Sequence, residues 1–175
     1  MKNSPVDVIP METYRQAAEW IKSRIGGNID TAFILGSGLG SFADTLTQRM
    51  VLPYRDIPGF PSATVASHRG ELVAGYCGRQ RILVLSGRFH YYEGYSFQQT
   101  AFPVRVLKLL GIKKLVVTNA AGAINREFSV GDFILLRDQL CFFCDSPMRG
   151  PNITEFGERF FDMSEACLLY TSRCV

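Results

Sequence analysis

Three polar side chains follow an apolar run near the middle of the sequence, and their types could hold an anion. The run Arg81-Ile-Leu-Val-Leu-Ser86 predicts a buried strand, and Arg88, His90 and Tyr92 come after it at alternate positions. In extended backbone, residues two apart project to the same side. We therefore expect a guanidinium, an imidazole and a phenol on one face at a strand end, where they can hold an oxyanion and a hydroxylated substrate.

The alternative interpretation is an exposed edge strand that directs these polar residues to solvent. The neighbouring residues Phe89, Tyr91 and Tyr95 are large aromatics, which fit the wall of a pocket better than an open edge. The pattern therefore favours a functional site.

A glycine-rich loop, Gly36-Ser-Gly-Leu-Gly40, follows the short apolar run at 31–35. It offers unshielded backbone N–H groups and the Ser37 hydroxyl, and a helix beginning within or just after it would favour an anion. It is not a P-loop, because Gly40 is followed by Ser-Phe, and its spacing does not fit a dinucleotide fingerprint. A tight strand-to-helix turn without a ligand is the alternative.

Two further loops lie beside predicted strands. His68-Arg69-Gly70 precedes one strand, and Asn119-Ala-Ala-Gly122 follows another. Ligands gather at the carboxyl ends of strands in open α/β sheets, so the loop at 119–122 is a candidate. A lone histidine such as His68 is more often a surface or capped residue than a ligand, although both histidines of the chain flank strands at glycine-containing loops. We expect Arg69 in solvent. The small residues at 119–122 would admit a ligand to the backbone, or simply allow helix–strand packing.

The segments between these loops predict an α/β domain around a mixed sheet. Residues 11–25 form an amphipathic pattern, and 53–61 is a proline-containing loop. The remaining expected elements are a hairpin of strands 71–76 and 81–86, a helix at 97–110, and apolar strands at 31–35, 114–118 and 133–136.

The composition narrows the class of protein. The chain has 175 residues, 47% hydrophobic and 20% charged, with a net charge of +3, which fits one globular domain and disfavours general nucleic-acid binding. No apolar stretch is long enough for a membrane span or a signal peptide, so we expect a cytoplasmic protein with reduced thiols. Cys141 and Cys144 have CxxC spacing but no second pair, so no metal site is predicted.

Several motifs in order carry a resemblance to a known family. They are Gly36-Ser-Gly-Leu-Gly40, Ser67-His-Arg-Gly70, Gly87-Arg-Phe-His-Tyr-Tyr-Glu-Gly94, Phe102-Pro-Val-Arg105, Val117-Thr-Asn-Ala-Ala-Gly122 and Arg149-Gly-Pro-Asn152. From about residue 11 to 166 the chain closely resembles the trimeric purine nucleoside phosphorylases, and resembles the methylthioadenosine phosphorylases of the same family less. The resemblance implies a nucleoside-phosphorylase-like domain with a mixed central sheet flanked by helices, and a homotrimer.

The activity implied by the resemblance is reversible phosphorolysis of purine (deoxy)ribonucleosides to free base and (deoxy)ribose 1-phosphate. Such a pentosyltransferase uses phosphate as co-substrate and no cofactor. A methylthioadenosine-type phosphorylase and a non-catalytic anion-binding domain are the alternatives.

The resemblance also implies roles for individual residues. Arg88 and His90 would be catalytic, Tyr92 would face the ribose, and Phe142 or Phe143 would cap the neighbouring subunit's pocket. The segment 138–145 departs from the family's usual Asp-His-Ile-Asn pattern, which loosens that last assignment. The implied phosphate-binding residues are Ser37, His68, Arg88, Phe89, His90 and Ala120.

Family members continue beyond the length of this chain, and their base-reading residues lie in that later part. We therefore expect residues 1–166 to be the N-terminal part of a C-terminally truncated domain that is inactive alone. One back-translation of residues 167–172 resembles a transposase end sequence used in DNA library preparation, and residues 173–175 with a stop codon read from its reverse complement. The hypothesis is that 167–175 is a non-native tail; genomic reads across codon 166 test it.

Overall fold

A mixed five-stranded sheet forms the centre of the fold, as the sequence predicts. The computed structural model describes residues 8–61, 69–136 and 145–162. The helices and strands in chain order are α1 (Met11–Ile25), β1 (Thr31–Leu35), β2 (Thr47–Pro53), β3 (Glu71–Cys77), β4 (Gln80–Ser86), α2 (Phe97–Leu109) and β5 (Lys114–Val117). Short 3-10 helices occupy Gly40–Thr45, Tyr54–Asp56, Tyr91–Glu93 and Thr154–Phe156.

The strand order is β2-β3-β4-β1-β5. Strand β1 pairs in parallel with both β4 and β5, whereas β3 pairs antiparallel with β4 and β2. The carboxyl ends of β1, β4 and β5 therefore lie along one edge of the sheet, and β3 begins at that edge. This topology brings four separate chain segments together where ligands bind in such sheets.

The predicted apolar face of α1 is confirmed. All of its members are buried: Tyr14, Ala17, Ala18, Ile21 and Ile25. The Tyr14 ring stacks on Phe102 of α2 with ring centroids 4.7 Å apart, and Nη1 of Arg105 donates to the Tyr14 hydroxyl at 2.8 Å. Burial of a large apolar side chain contributes about 1.5–3 kcal/mol, so these contacts hold the two helices together.

A second apolar cluster anchors the chain that follows β1. It consists of Leu35, Ala43, Leu46, Val73, Ile82 and Val84, with Phe33, Leu39 and Phe42 packed against it. Leu39 belongs to the glycine-rich loop, and Phe42, Ala43 and Leu46 follow it, so their packing in this cluster fixes the loop at the sheet edge. The expected helix after the loop is only the 3-10 helix Gly40–Thr45.

Three expectations about strands need correction. Strand β2 was not expected, because most of its residues are exposed and its register shifts between Thr47 and Met50, which removes the alternation that marks a strand. Strand β5 exists, but its residues are exposed rather than buried, because β1 is its one partner among the described strands. The strand expected at 133–136 is wrong: the segment is irregular, Phe133 is 87% exposed, and no described strand pairs with it.

The chain divides into two compact units, residues 1–120 and 121–175. The first contains the sheet and both helices. The described residues of the second, 121–136 and 145–162, form turns, irregular segments and the 3-10 helix Thr154–Phe156. The boundary expected at residue 166 stays a prediction, since 163–175 lie outside the described residues. None of the helices in the described ranges is long and apolar enough to cross a membrane.

Candidate functional site

A cavity of about 170 Å³ opens at the edge where β1 and β4 end. We call it the glycine-loop pocket, and the residues that line it are Leu35, Gly36, Ser37, Gly38, Gly40, Ser41, Arg69, Ser86 and Gly87. Ser37 is exposed, so its hydroxyl is accessible to a ligand. Backbone N–H groups, hydroxyls and one guanidinium form a donor set suited to a phosphate-sized anion.

Close approach of two backbones positions the glycine loop. The N–H of Gly36 donates to Oγ1 of Thr118 at 2.8 Å, and a Cβ on Gly36 would lie 2.7 Å from Cα of Asn119. Only glycine fits there, because a side chain would collide with backbone atoms after β5. The loop is therefore held against residues 118–119, and Ala120 follows at the same edge although it does not line the cavity.

Arg69 lies in the wall of the pocket and is held by a carboxylate. Its Nη1 and Nη2 donate to the two carboxylate oxygens of Asp44, both at 2.7 Å, and Nη1 of Arg49 donates to Asp44 at 2.8 Å. These hydrogen bonds, that from Arg69 first, lower the pKa of Asp44 from 3.8 to about 2. Arg69 is exposed to solvent, as expected. The structure adds that it is ion-paired with Asp44 and lines the pocket.

The buried Tyr54 holds the backbone of Gly87, the residue that precedes Arg88. The buried Tyr54 hydroxyl donates to the carbonyl oxygen of Gly87 at 3.0 Å. Burial raises the pKa of Tyr54 above its usual range, so this hydroxyl stays a donor. Arg88 follows Gly87 directly and is half-buried, with its Nε inside the protein. Arg88 thus emerges beside the pocket, although it is not among the residues that line the cavity.

The Phe89 side chain belongs to the core. Its ring centroid lies 5.3 Å from that of Tyr54, 5.8 Å from Tyr95 and 6.3 Å from Phe60. None of these four aromatic rings lines the glycine-loop pocket, so the walled-pocket interpretation of the segment stays a prediction. Because the ring is buried, a contact between Phe89 and phosphate would use its backbone N–H.

The chain does not stay extended through Tyr92, contrary to expectation. Strand β4 ends at Ser86, and Tyr91–Glu93 form a 3-10 helix. The turn nevertheless brings two of the predicted side chains together, since the rings of His90 and Tyr92 stack with centroids 4.6 Å apart. Tyr92 is 76% exposed, and its role toward a ribose stays a prediction.

Glu93 is a residue that the motif analysis did not single out. Its Oε1 lies 2.5 Å from Nδ1 of His90 and accepts the backbone N–H of His90 at 2.9 Å. The Glu93 side chain is only 4% exposed, so the pair is shielded from solvent on the carboxylate side. A local sequence signal for this contact exists, because a glutamate three residues after the N-cap residue is typical of a capping box.

The structure thus brings Ser37, Arg69 and Gly87 to one pocket and places Arg88 next to it. His90 and Tyr92 form a stacked pair in the turn that follows. Three predicted residues, His68, Phe142 and Phe143, lie outside the described residues. Within the described part of the chain, no cluster of three or more His, Cys, Asp or Glu residues could hold a metal ion.

Comparisons with known proteins identify the family of the chain. The family model described as "Phosphorylase superfamily" matches residues 30–170. The chain is 48% identical over 151 residues to purine nucleoside phosphorylase 1 of Geobacillus stearothermophilus, covering 86% of this chain and 55% of that protein. It is 48% identical over 158 residues to purine nucleoside phosphorylase of Rattus norvegicus, covering 89% and 55%.

A solved structure shares the fold. The crystal structure of isoform 2 of purine nucleoside phosphorylase from Schistosoma mansoni, in complex with cytosine and ribose-1-phosphate, superposes with a TM-score of 0.83 at 42% identity. The match covers 98% of this chain and 61% of that one. The chain spans about half the length of the curated relatives it matches. With the family match covering most of its residues, the chain belongs to the phosphorylase superfamily.

Proposed function

We propose that the complete protein is a purine nucleoside phosphorylase, which converts a purine (deoxy)ribonucleoside and phosphate into free base and (deoxy)ribose 1-phosphate. The observation that carries the proposal is the glycine-loop pocket with Arg88 and His90 beside it, in a chain whose relatives are named for this activity. The ribose-1-phosphate bound in the Schistosoma mansoni structure is a product of the proposed reaction.

In phosphorolysis the nucleophile is phosphate, so the protein must hold this anion in place and need not supply a nucleophile of its own. As the bond between C1′ and N9 breaks, its electron pair leaves with the purine and the sugar becomes oxocarbenium-like. A phosphate oxygen then forms the new bond to C1′ on the opposite face, so no carboxylate nucleophile of the glycosidase kind is required. Positioning and electrostatic stabilisation of the phosphate provide the catalysis.

Each predicted residue has a place in this scheme. Ser37 and the loop amides bind phosphate from one side, and Arg88 approaches from the end of β4 with a planar donor fork. Nε2 of His90 contacts the phosphate, while Glu93 holds the imidazole ring through Nδ1. Tyr92 faces the ribose. The remaining phosphate contacts in the proposal are His68 and the backbone at Phe89 and Ala120.

The proposed subunit assembly and the proposed co-substrate follow the family pattern. A homotrimer would place Phe142 or Phe143 of one subunit over the pocket of the next. Phosphate is a co-substrate, no cofactor takes part, and the substrates are small molecules. The cytoplasmic location expected from composition stays a prediction.

The experiment is an assay of the complete purified protein with inosine and with methylthioadenosine, each with and without phosphate. The expected result is hypoxanthine and ribose 1-phosphate in equal amounts from inosine, only when phosphate is present. Cleavage of methylthioadenosine alone would move the protein to the related phosphorylase class. Absence of any phosphate-dependent cleavage would refute the proposed function.

A further inference from the structure

We propose that Arg69 is a further phosphate-binding residue of the glycine-loop pocket, and that Asp44 is the residue that positions it. This inference rests on the proposed function and adds a residue to its phosphate site. Among the described residues that line the cavity, Arg69 is the one with a formal charge. A dianion entering the pocket therefore meets Arg69 in the wall itself, whereas Arg88 stands next to it.

The topology places Arg69 there by backbone pairing. Strand β3 runs antiparallel to β4 with Glu71 opposite Ser86, and the N–H of Gly70 donates to the carbonyl of Ser86 at 3.0 Å. Arg69 comes just before this hydrogen bond and so lies beside the carboxyl end of β4. Arg69 itself precedes β3, and the backbone hydrogen bonds of Gly70 hold the adjoining residue at this edge.

Asp44 fixes the orientation of the Arg69 guanidinium. The two hydrogen bonds are parallel contacts from both terminal nitrogens to both carboxylate oxygens, 2.7 Å each. Such a fork-to-fork contact holds the guanidinium plane in one orientation, which lowers the entropy cost of ordering that side chain when a ligand binds. Asp44 belongs to the 3-10 helix Gly40–Thr45, whose Ala43 is buried, so the anchor itself is rigid.

Arg49 limits how far Asp44 offsets the charge of Arg69. Two guanidinium groups, Arg49 and Arg69, share the single Asp44 carboxylate, so these three side chains sum to +1; Glu71 at the start of β3 is a further negative charge that acts on Arg69. Exposed ion pairs contribute little to stability, so stability alone is a weak reason for this three-charge cluster beside the pocket. Arg49 does not line the cavity; it offsets the carboxylate and leaves the charge of Arg69 to act on the pocket.

The test compares Arg69→Gln with Arg49→Gln in the complete protein. Both variants remove one guanidinium from Asp44, and the two side chains are similarly exposed at 46% and 40%. Loss of a charge-assisted contact predicts a KM for phosphate raised about 10-fold in Arg69→Gln, with the KM for inosine unchanged. Arg49→Gln removes the charge that offsets Asp44 but no group that lines the cavity, so it should raise the KM for phosphate by less, about two- to threefold. Equal phosphate KM values in the two variants would overturn the proposal.

Conservative variants separate binding from folding. Arg69→Lys keeps the charge without the fork and should recover part of the phosphate affinity. Asp44→Glu should stay closer to wild type than Asp44→Asn in phosphate KM, and circular dichroism should show folded protein throughout. If wild type cleaves no nucleoside, the proposed function fails, and calorimetric titration with inorganic phosphate still tests Arg69. Tighter phosphate binding by wild type than by Arg69→Gln would support its role, and equal or absent binding would refute it.

Discussion

Glu93 contacts His90 twice, accepting its backbone N–H at 2.9 Å and lying 2.5 Å from Nδ1 of its imidazole with the same oxygen. One carboxylate oxygen therefore fixes both the start of the short helix and the ring that the proposed mechanism uses. The stacked Tyr92 ring covers the imidazole, 4.6 Å away between centroids. The orientation of His90 is thus determined by its neighbours in the turn.

Replacing Glu93 with Gln should impair phosphorolysis without unfolding the protein. The amide keeps the size of the side chain but loses the charge-assisted hydrogen bond to the imidazole. We expect kcat to fall and the KM for phosphate to rise, each about 10-fold, because a displaced catalytic group loses its alignment. Glu12→Gln, at an exposed position of α1, is the control. Steady-state kinetics identical to wild type would show that Glu93 does not position His90.

Removing the Tyr54 hydroxyl should cost stability. In Tyr54→Phe the carbonyl of Gly87 loses a buried donor at 3.0 Å, and an unsatisfied buried group costs about 1–3 kcal/mol. Urea unfolding measures the loss. Tyr76→Phe, at a half-exposed site on β3, should change the free energy of unfolding by less than about 0.5 kcal/mol. Similar values for the two variants would contradict the role given to Tyr54.

The glycine loop offers a matched pair of substitutions. Gly36→Ala places a Cβ against the backbone of residues 118–119, whereas a Cβ at Gly40 meets nothing within 4 Å. Overpacking against backbone predicts a loss of about 1–3 kcal/mol for Gly36→Ala. Thermal unfolding should show a lowered Tm for that variant and a smaller change for Gly40→Ala. If Gly36→Ala is the milder of the two, the loop does not lie against the end of β5 as described.

The lowered pKa of Asp44 predicts how the stability of the protein changes with pH. Its carboxyl group titrates at about 2 in the folded protein and at 3.8 ordinarily, so its contribution to stability is fully present above pH 3.8 and is lost as the pH falls toward 2. The difference in unfolding midpoint between wild type and Asp44→Asn should be constant from neutral pH to about pH 5 and shrink below pH 4. Urea titrations across pH 2–7 measure it, and a difference unchanged at pH 2 would contradict the ion pair with Arg69.

Local patterns predicted the elements whose burial follows a simple period. Helix α1 and strand β1 have the expected bounds, and the β3–β4 hairpin lies where the turn residues indicate. Strand β2 was missed because exposed edge residues carry no apolar alternation. The burial of β5 was predicted wrongly because burial depends on neighbours that a strand's own sequence does not specify.

The candidate site also contains some residues that local sequence patterns predict and others that they do not. Ser37 and Arg88 were found because each stands in a short motif right after an apolar strand. The pairing of Asp44 with Arg69 joins residues that lie 25 positions apart, and no local period marks it. The alternation of Arg88, His90 and Tyr92 predicts extended backbone and does not reveal the bend at Tyr91–Glu93, because the contact between His90 and Glu93 that stabilises this turn is not part of that alternation.

In the proposed function, the edge formed by β1, β4 and β5 holds the phosphate that attacks the nucleoside. The most direct measurement is the initial rate of inosine cleavage against phosphate concentration in the complete protein, for wild type, Arg88→Ala and Arg79→Ala. Arg79 is an exposed residue of the β3–β4 turn, at the other end of these strands. We predict a saturable phosphate dependence in wild type and Arg79→Ala, and a phosphate KM at least about 10-fold higher in Arg88→Ala. Cleavage that does not depend on phosphate, or an unchanged phosphate KM in Arg88→Ala, would contradict the claim.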